Sequence, residues 1–109
     1  MNFLYAIFLL IIYINKSLAV DEVTFLNINN EVQNIGDAIV IHSGNKYAMI
    51  DVGLSKDPTG ENKEDKKISF KRVKNFVKDI PEFEWVLITH NHEDHIGGLM
   101  DLLNIKKVK

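Results

Sequence analysis

The residue pattern predicts an α/β chain, and three observations carry that reading. Short runs rich in β-branched residues occur at 23–28, 38–42 and 46–50. A stripe of helical period follows at 73–80. A further apolar run at 85–88 then leads into a second helical pattern beyond Gly98. Strands that alternate with helices in this way build sheets layered by helices. The 109 residues are 46% hydrophobic and 26% charged, with a formal net charge of −2. This is a globular profile with room for one domain, and it excludes a disordered tail, a multi-span membrane protein and a collagen-like repeat. No basic excess marks the chain as a strong nucleic-acid binder. Cysteine is absent, so a metal held by this chain must be held by His, Asp and Glu.

The first element is not part of the expected domain. Phe3 to Ile14 is an unbroken apolar run, followed by Asn15, Lys16 and Ser17. A bilayer span needs about 20 apolar residues, whereas the h-region of a secretory signal peptide needs about 7–15. Ser17-Leu18-Ala19 supplies small residues where a signal peptidase inspects the chain. The expectation is a signal peptide over 1–19, cleavage after Ala19, a secreted or extracytoplasmic product and no stable membrane span afterwards. An uncleaved anchor and a buried first helix are the alternatives, since no Lys or Arg precedes the run.

The domain expected over 20–109 opens with a strand at Val23–Ile28, and Asn29, Asn30, Asn34 and Gly36 then read as a loop. Ala38–His42 and Lys46–Ile50 flank Ser43-Gly44-Asn45, the pattern of a β-hairpin. Residues 54–67 are polar and read as an exposed connection. Val73, Phe76, Val77 and Ile80 fall on one helical stripe, with Lys71, Arg72, Lys74, Lys78 and Asp79 opposite, and Pro81 ends the helix. Seven of the thirteen cations lie between Lys63 and Lys78. Interleaved with Glu61, Glu64, Asp65 and Asp79, they read as a solvated face before they read as a nucleic-acid patch. Trp85–Ile88 has the character of a strand covered on both faces, with Trp85 in the core. Leu99, Met100, Leu102, Leu103 and Ile105 predict the second helix, and another strand is expected to begin near 106–109.

Three of the four histidines fall within Thr89-His90-Asn91-His92-Glu93-Asp94-His95, directly after the 85–88 run. Open α/β sheets place ligand sites at the carboxyl ends of their strands. His90 and His92, two residues apart, project to one side of an extended segment. Asp94 and His95 follow once the chain has turned, and Gly97-Gly98 allow close entry into a helix. Neutral imidazole with carboxylate suits zinc where thiolate is lacking, and iron and manganese also accept such donors. The competing reading is a polar loop whose histidines merely cap and hydrogen-bond, and so dense a cluster at a strand end weighs against it. His42 reads as a hairpin residue rather than a ligand, Asp37 equally as turn or functional residue, and Thr89 as a hydrogen-bonding partner within the loop.

The HxHxDH run of His90, His92, Asp94 and His95 resembles the signature of the metallo-β-lactamase superfamily, which implies a four-layered αβ/βα fold. The resemblance implies that His90 and His92 bind one metal and that Asp94 and His95 bind a second. It also implies a bridging hydroxide as nucleophile, with Asp94 orienting it in a catalytic role and zinc as the metal at both sites. The likeness extends to Gly36-Asp37-Ala38-Ile39-Val40-Ile41 and Gly44–Gly53. There it is similar to the metallo-β-lactamase domain of late-competence DNA-uptake proteins, which implies that Asp51 supports the metal site from behind its ligands.

The family draws further ligands, His and Asp, from a second αβ half. No His follows His95, and Asp101 lies too close to the motif to bridge metals. The expectation is therefore an N-terminal half of the fold, with one sheet face left uncovered. The function expected is a metal-dependent hydrolase, with a phosphodiester substrate first and a small-molecule lactam or thioester second. Nucleic acid has only weak support as a partner. The alternative is a non-catalytic half-domain that at most binds metal weakly.

Overall fold

The computed structural model describes residues 21–29 and 36–109. The signal-peptide expectation over 1–19 and part of the 29–36 loop lie outside the described residues. Among the described residues, no helix is long and apolar enough to cross a membrane.

Among the described residues the order opens with β1 (Asp21–Phe25), β2 (Ala38–Ser43) and β3 (Lys46–Val52), which pair in sequence as an antiparallel meander. β1 starts earlier and stops sooner than its composition suggests. Leu26 still donates its N–H to Ala38 O at 2.9 Å, and Ile28 leaves the sheet to become fully buried. The β2–β3 hairpin turns on Gly44-Asn45 alone, since Ser43 remains paired with Lys46. Gly44 has φ +59 there, a value that side chains with a Cβ rarely take. His42 behaves as a hairpin residue. Its ring stacks on Tyr47 at 4.2 Å, and its Nε2 donates to Gly44 O at 2.7 Å.

Two short helices follow, α1 (Lys63–Lys66) and α2 (Ile68–Val77). The chain then returns through β4 (Glu82–Phe83) to β5 (Val86–Leu87), which pairs in parallel with β3. The four-stranded sheet runs β1-β2-β3-β5, so the hairpin and the 85–88 run share one sheet. α3 (Glu93–Ile96), α4 (Leu99–Ile105) and β6 (Lys107–Val108) complete the order, with β6 pairing in parallel with β4. The class is α/β, as the alternation predicted.

Period-two alternation decides what the sheet buries. Ala38, Val40 and Met49 point to one face, where Phe70, Val73 and Val77 of α2, with Ile80 just beyond it, close over them. Phe83 and Leu102 join the same cluster. The opposite face carries Phe25, Ile39, Ile50 and Leu87 in one cross-strand row, and its outer members are open: Phe25 is 74% and Leu87 52% exposed.

Several readings need correction. Among the described residues β5 lies at the sheet edge, and it is not covered on both faces, because Leu87 is open; Trp85, at 46% exposed, lies outside the core. Phe83, two residues earlier, takes the buried aromatic position. Phe76 sits at the margin of the helical stripe, 43% exposed, while Val73, Val77 and Ile80 are buried. Arg72 is not on a purely solvated face: its guanidinium donates to Asn27 O at 2.8 Å and Asn29 O at 2.7 Å, tying α2 to the segment after β1. The 54–67 connection is mostly exposed, but Leu54 and Pro58 are buried, and the Leu54 N–H donates to the buried Ser69 hydroxyl at 3.0 Å.

Candidate metal centre

The site begins with an irregularity in β3. Ala38 pairs with Val52 and Ile39 with Ile50, so Asp51 is the extra residue of a β-bulge. It adopts φ +56, a region that Asp and Asn enter more readily than most residues. A bulge re-aims a side chain, and here the Asp51 carboxylate lies under the loop that leaves β5. It is only 2% exposed.

Its hydrogen bonds account for that burial. Oδ1 accepts the Thr89 backbone N–H at 2.8 Å, and Oδ2 accepts the Thr89 hydroxyl at 2.7 Å. His95 Nδ1 lies 2.8 Å from the same Oδ2. Burial pushes the Asp51 pKa up, but the two bonds from Thr89 and the contact with His95 outweigh it and hold the carboxyl below its ordinary value. Burial pulls His95 down in turn. The hydrogen bond to Asp51 and the charges of Asp94, Asp51 and Asp37 overcome this and raise its pKa above the usual imidazole value.

The loop folds so that its imidazoles converge. His90 and His92 approach edge to face at 4.6 Å between ring centroids, and His90 and His95 lie 3.9 Å apart. His92 is the last extended residue, and its carbonyl accepts the N–H groups of His95 and Ile96 at 3.0 Å each, which starts α3. Asp94 and His95 therefore come from a helical turn and His90 and His92 from the extended approach to it, as the spacing predicted. Ligand atoms of His90, Asp94 and His95 lie within 4.8 Å of one another, as do those of Asp37, Asp51 and His95. Asp94 Oδ2 is 3.6 Å from His95 Nε2. His92 joins the cluster through its ring contact with His90.

Close backbone approach locks the loop in place. Asp37 donates its N–H to the Asp94 carbonyl at 3.3 Å. A Cβ on Gly36, which has φ +111, would fall 1.7 Å from that carbonyl oxygen. Gly98 donates to Gly53 O at 2.9 Å, and a Cβ there would lie 2.6 Å from Val52 O. The Gly97-Gly98 pair thus serves close packing of α3 and α4 on the end of β3, with ordinary helical dihedrals rather than a special turn. Glu93 faces away and accepts from the N–H of Thr59 at 3.2 Å and its hydroxyl at 3.1 Å.

Sequence reasoning left Asp37 open between turn and functional residue and placed the hydrogen bonding of Thr89 within its loop only. Asp37 reaches the site, its Oδ2 3.8 Å from His95 Nδ1, because the 36–37 backbone packs on Asp94. Thr89 bonds to Asp51 across 38 residues of sequence as well as to its neighbour His90. A hydroxyl residue directly before the first histidine was the visible signal. Asp101 takes no part, and accepts the Lys56 N–H at 2.9 Å.

The donor set fits a divalent cation: several imidazoles and carboxylates within one ion's reach, some of them braced from behind. A mixed α/β sheet with such a cluster at the carboxyl end of a parallel strand defines a candidate metal-site protein. Residues 33–109 match the family model of the metallo-beta-lactamase superfamily, and the chain belongs to that superfamily. Divalent-metal binding is what membership implies.

Proposed function

We propose that His90, His92, Asp94 and His95 hold zinc for the hydrolysis of a phosphodiester, with Asp94 as the catalytic carboxylate and Asp51 as the brace behind the ligands. The observation that carries this reading is the convergence of His90, Asp94 and His95 within 4.8 Å on a loop tied to a buried carboxylate. A bound divalent cation supplies a Lewis acid and lowers the pKa of water toward about 7. The chain's own part is to aim and hold. Asp51 fixes the His95 ring through Nδ1, which leaves Nε2 turned toward Asp94. Asp94 is partly exposed, so its carboxylate is open to solvent and substrate. The Gly36–Asp94 and Gly98–Gly53 contacts keep the loop from relaxing when charge is brought to it.

The phosphodiester preference rests on the likeness of the 36–53 hairpin to the DNA-uptake branch of the superfamily. Export of the protein by way of residues 1–19 belongs to the same proposal. Catalytic zinc sites use about three protein ligands and a water, and the proposed pairs supply two each, so these residues alone bind zinc weakly. Zinc titration of the purified chain beside a His90→Ala/His92→Ala variant tests the metal assignment, and identical titrations overturn it. The zinc-loaded protein is then assayed on a phosphodiester, a β-lactam and a thioester. Phosphodiester turnover above the other two supports the substrate assignment, and preference for either of the others replaces it.

A further inference from the structure

Thr89 stands between a buried carboxylate and the first histidine of the cluster, with its hydroxyl oxygen 2.7 Å from Asp51 Oδ2 and 2.9 Å from His90 Nδ1. A hydroxyl carries one proton and an ionised carboxylate only accepts. The Thr89 proton therefore lies on the Asp51 side, and the hydroxyl lone pairs face His90. His90 Nδ1 must then be the donor. The same Oδ2 receives His95 Nδ1 at 2.8 Å, which fixes the proton of that ring in the same way.

We infer that Thr89 is a positioning residue: its hydroxyl relays the acceptor character of Asp51 to His90, holding the proton on Nδ1 and leaving Nε2 free as the ligand atom. One carboxylate oxygen thereby orients two histidines, one directly and one through Thr89. The inference builds on the proposed metal centre, but its first consequence exists without metal. A neutral histidine in water is divided between two tautomers, and a ligand must present the unprotonated nitrogen to the cation. Selecting the tautomer in advance removes that cost from binding. Thr89 does this without a charge of its own, and its backbone N–H, held by Asp51 Oδ1 at 2.8 Å, ties the residue to the same carboxylate at a second point.

Long-range proton–nitrogen NMR of the metal-free, 15N-labelled chain at pH about 8.5, above the ordinary imidazole pKa of about 6.5, reads each tautomer directly. The expected wild-type spectrum has His90 and His95 both protonated on Nδ1. In Thr89→Val, His90 moves toward the Nε2-protonated form while His95 keeps its own bond and does not change. Thr89→Ser restores the His90 signal. Zinc affinity falls by about 10- to 100-fold in Thr89→Val and recovers in Thr89→Ser. A wild-type His90 protonated on Nε2 overturns the inference, even if the valine variant does not fold. An unchanged His90 in folded Thr89→Val also overturns it. If the tautomers behave as stated and zinc still fails to bind, the metal assignment falls and the role of Thr89 stands.

Discussion

Replacing Asp51 with Asn isolates the charge of the buried carboxylate, because Asn takes φ +56 as readily as Asp and keeps the bulge intact. The amide oxygen can still accept the Thr89 N–H. The amide NH2 cannot accept from the Thr89 hydroxyl or from His95 Nδ1, so two bonds to a charged acceptor are lost. At about 1.5 kcal/mol each, the loss is about 3 kcal/mol, equivalent to a fall in Tm of about 12–24 °C for a domain of this size. The loss has a pH signature. The folded-state pKa of Asp51 lies below its unfolded value of about 3.9, so its stabilisation is complete above that value and disappears as pH falls through the folded pKa. His95 is raised, so the ionic part of its pairing is complete below about pH 6.5 and is lost as pH rises through its folded pKa. The wild-type and Asp51→Asn melting curves, followed by circular dichroism in metal-free buffer, should differ most between about pH 4 and 6.5. They should differ somewhat less on the alkaline side and converge in strong acid. A neutral-pH difference below about 0.5 kcal/mol, or one that does not shrink in strong acid, would refute the account of the buried carboxylate.

Gly36→Ala places a Cβ against the Asp94 carbonyl at a φ of +111, so it should destabilise the chain by about 2 kcal/mol or more and weaken zinc binding in parallel titrations. Phe83→Ala, at a fully buried site, should cost about 3–5 kcal/mol in urea unfolding. Trp85→Ala, on the exposed edge, should cost about 1 kcal/mol or less, and a reversal of that order would return Trp85 to the core. Arg72→Met keeps the aliphatic packing and removes the bonds to the Asn27 and Asn29 carbonyls. A loss of about 1 kcal/mol is expected by the same assay, with zinc binding unaffected.

Local pattern located the main strands and helices and the histidine-rich loop, but not the short helix at Lys63–Lys66 or the short strand at Glu82–Phe83. The 73–80 stripe, the Gly44-Asn45 turn and the 99–105 helix follow from periodicity and turn chemistry, which act over a few residues. The convergence of His90, Asp94 and His95 was legible in outline because strand-end position and close spacing put them on one loop, while His92 meets them only through its ring contact with His90. Burial at the sheet edge was not legible, because Trp85–Ile88 has the composition of a covered strand and only the strand order leaves β5 at the margin. Asp51 was suspected from the family likeness, but its mechanism depends on a bulge set by the register of β2 against β3, which composition does not encode. The bonds from Asp51 to Thr89 and His95 join residues about forty positions apart, as does the packing of Gly36 on Asp94 across a still longer interval. Which groups occur, and in what local geometry, is a property of neighbours along the chain. Which carboxylate lies beneath which imidazole depends on sheet register and close backbone approach, and these exist only once the distant segments have packed.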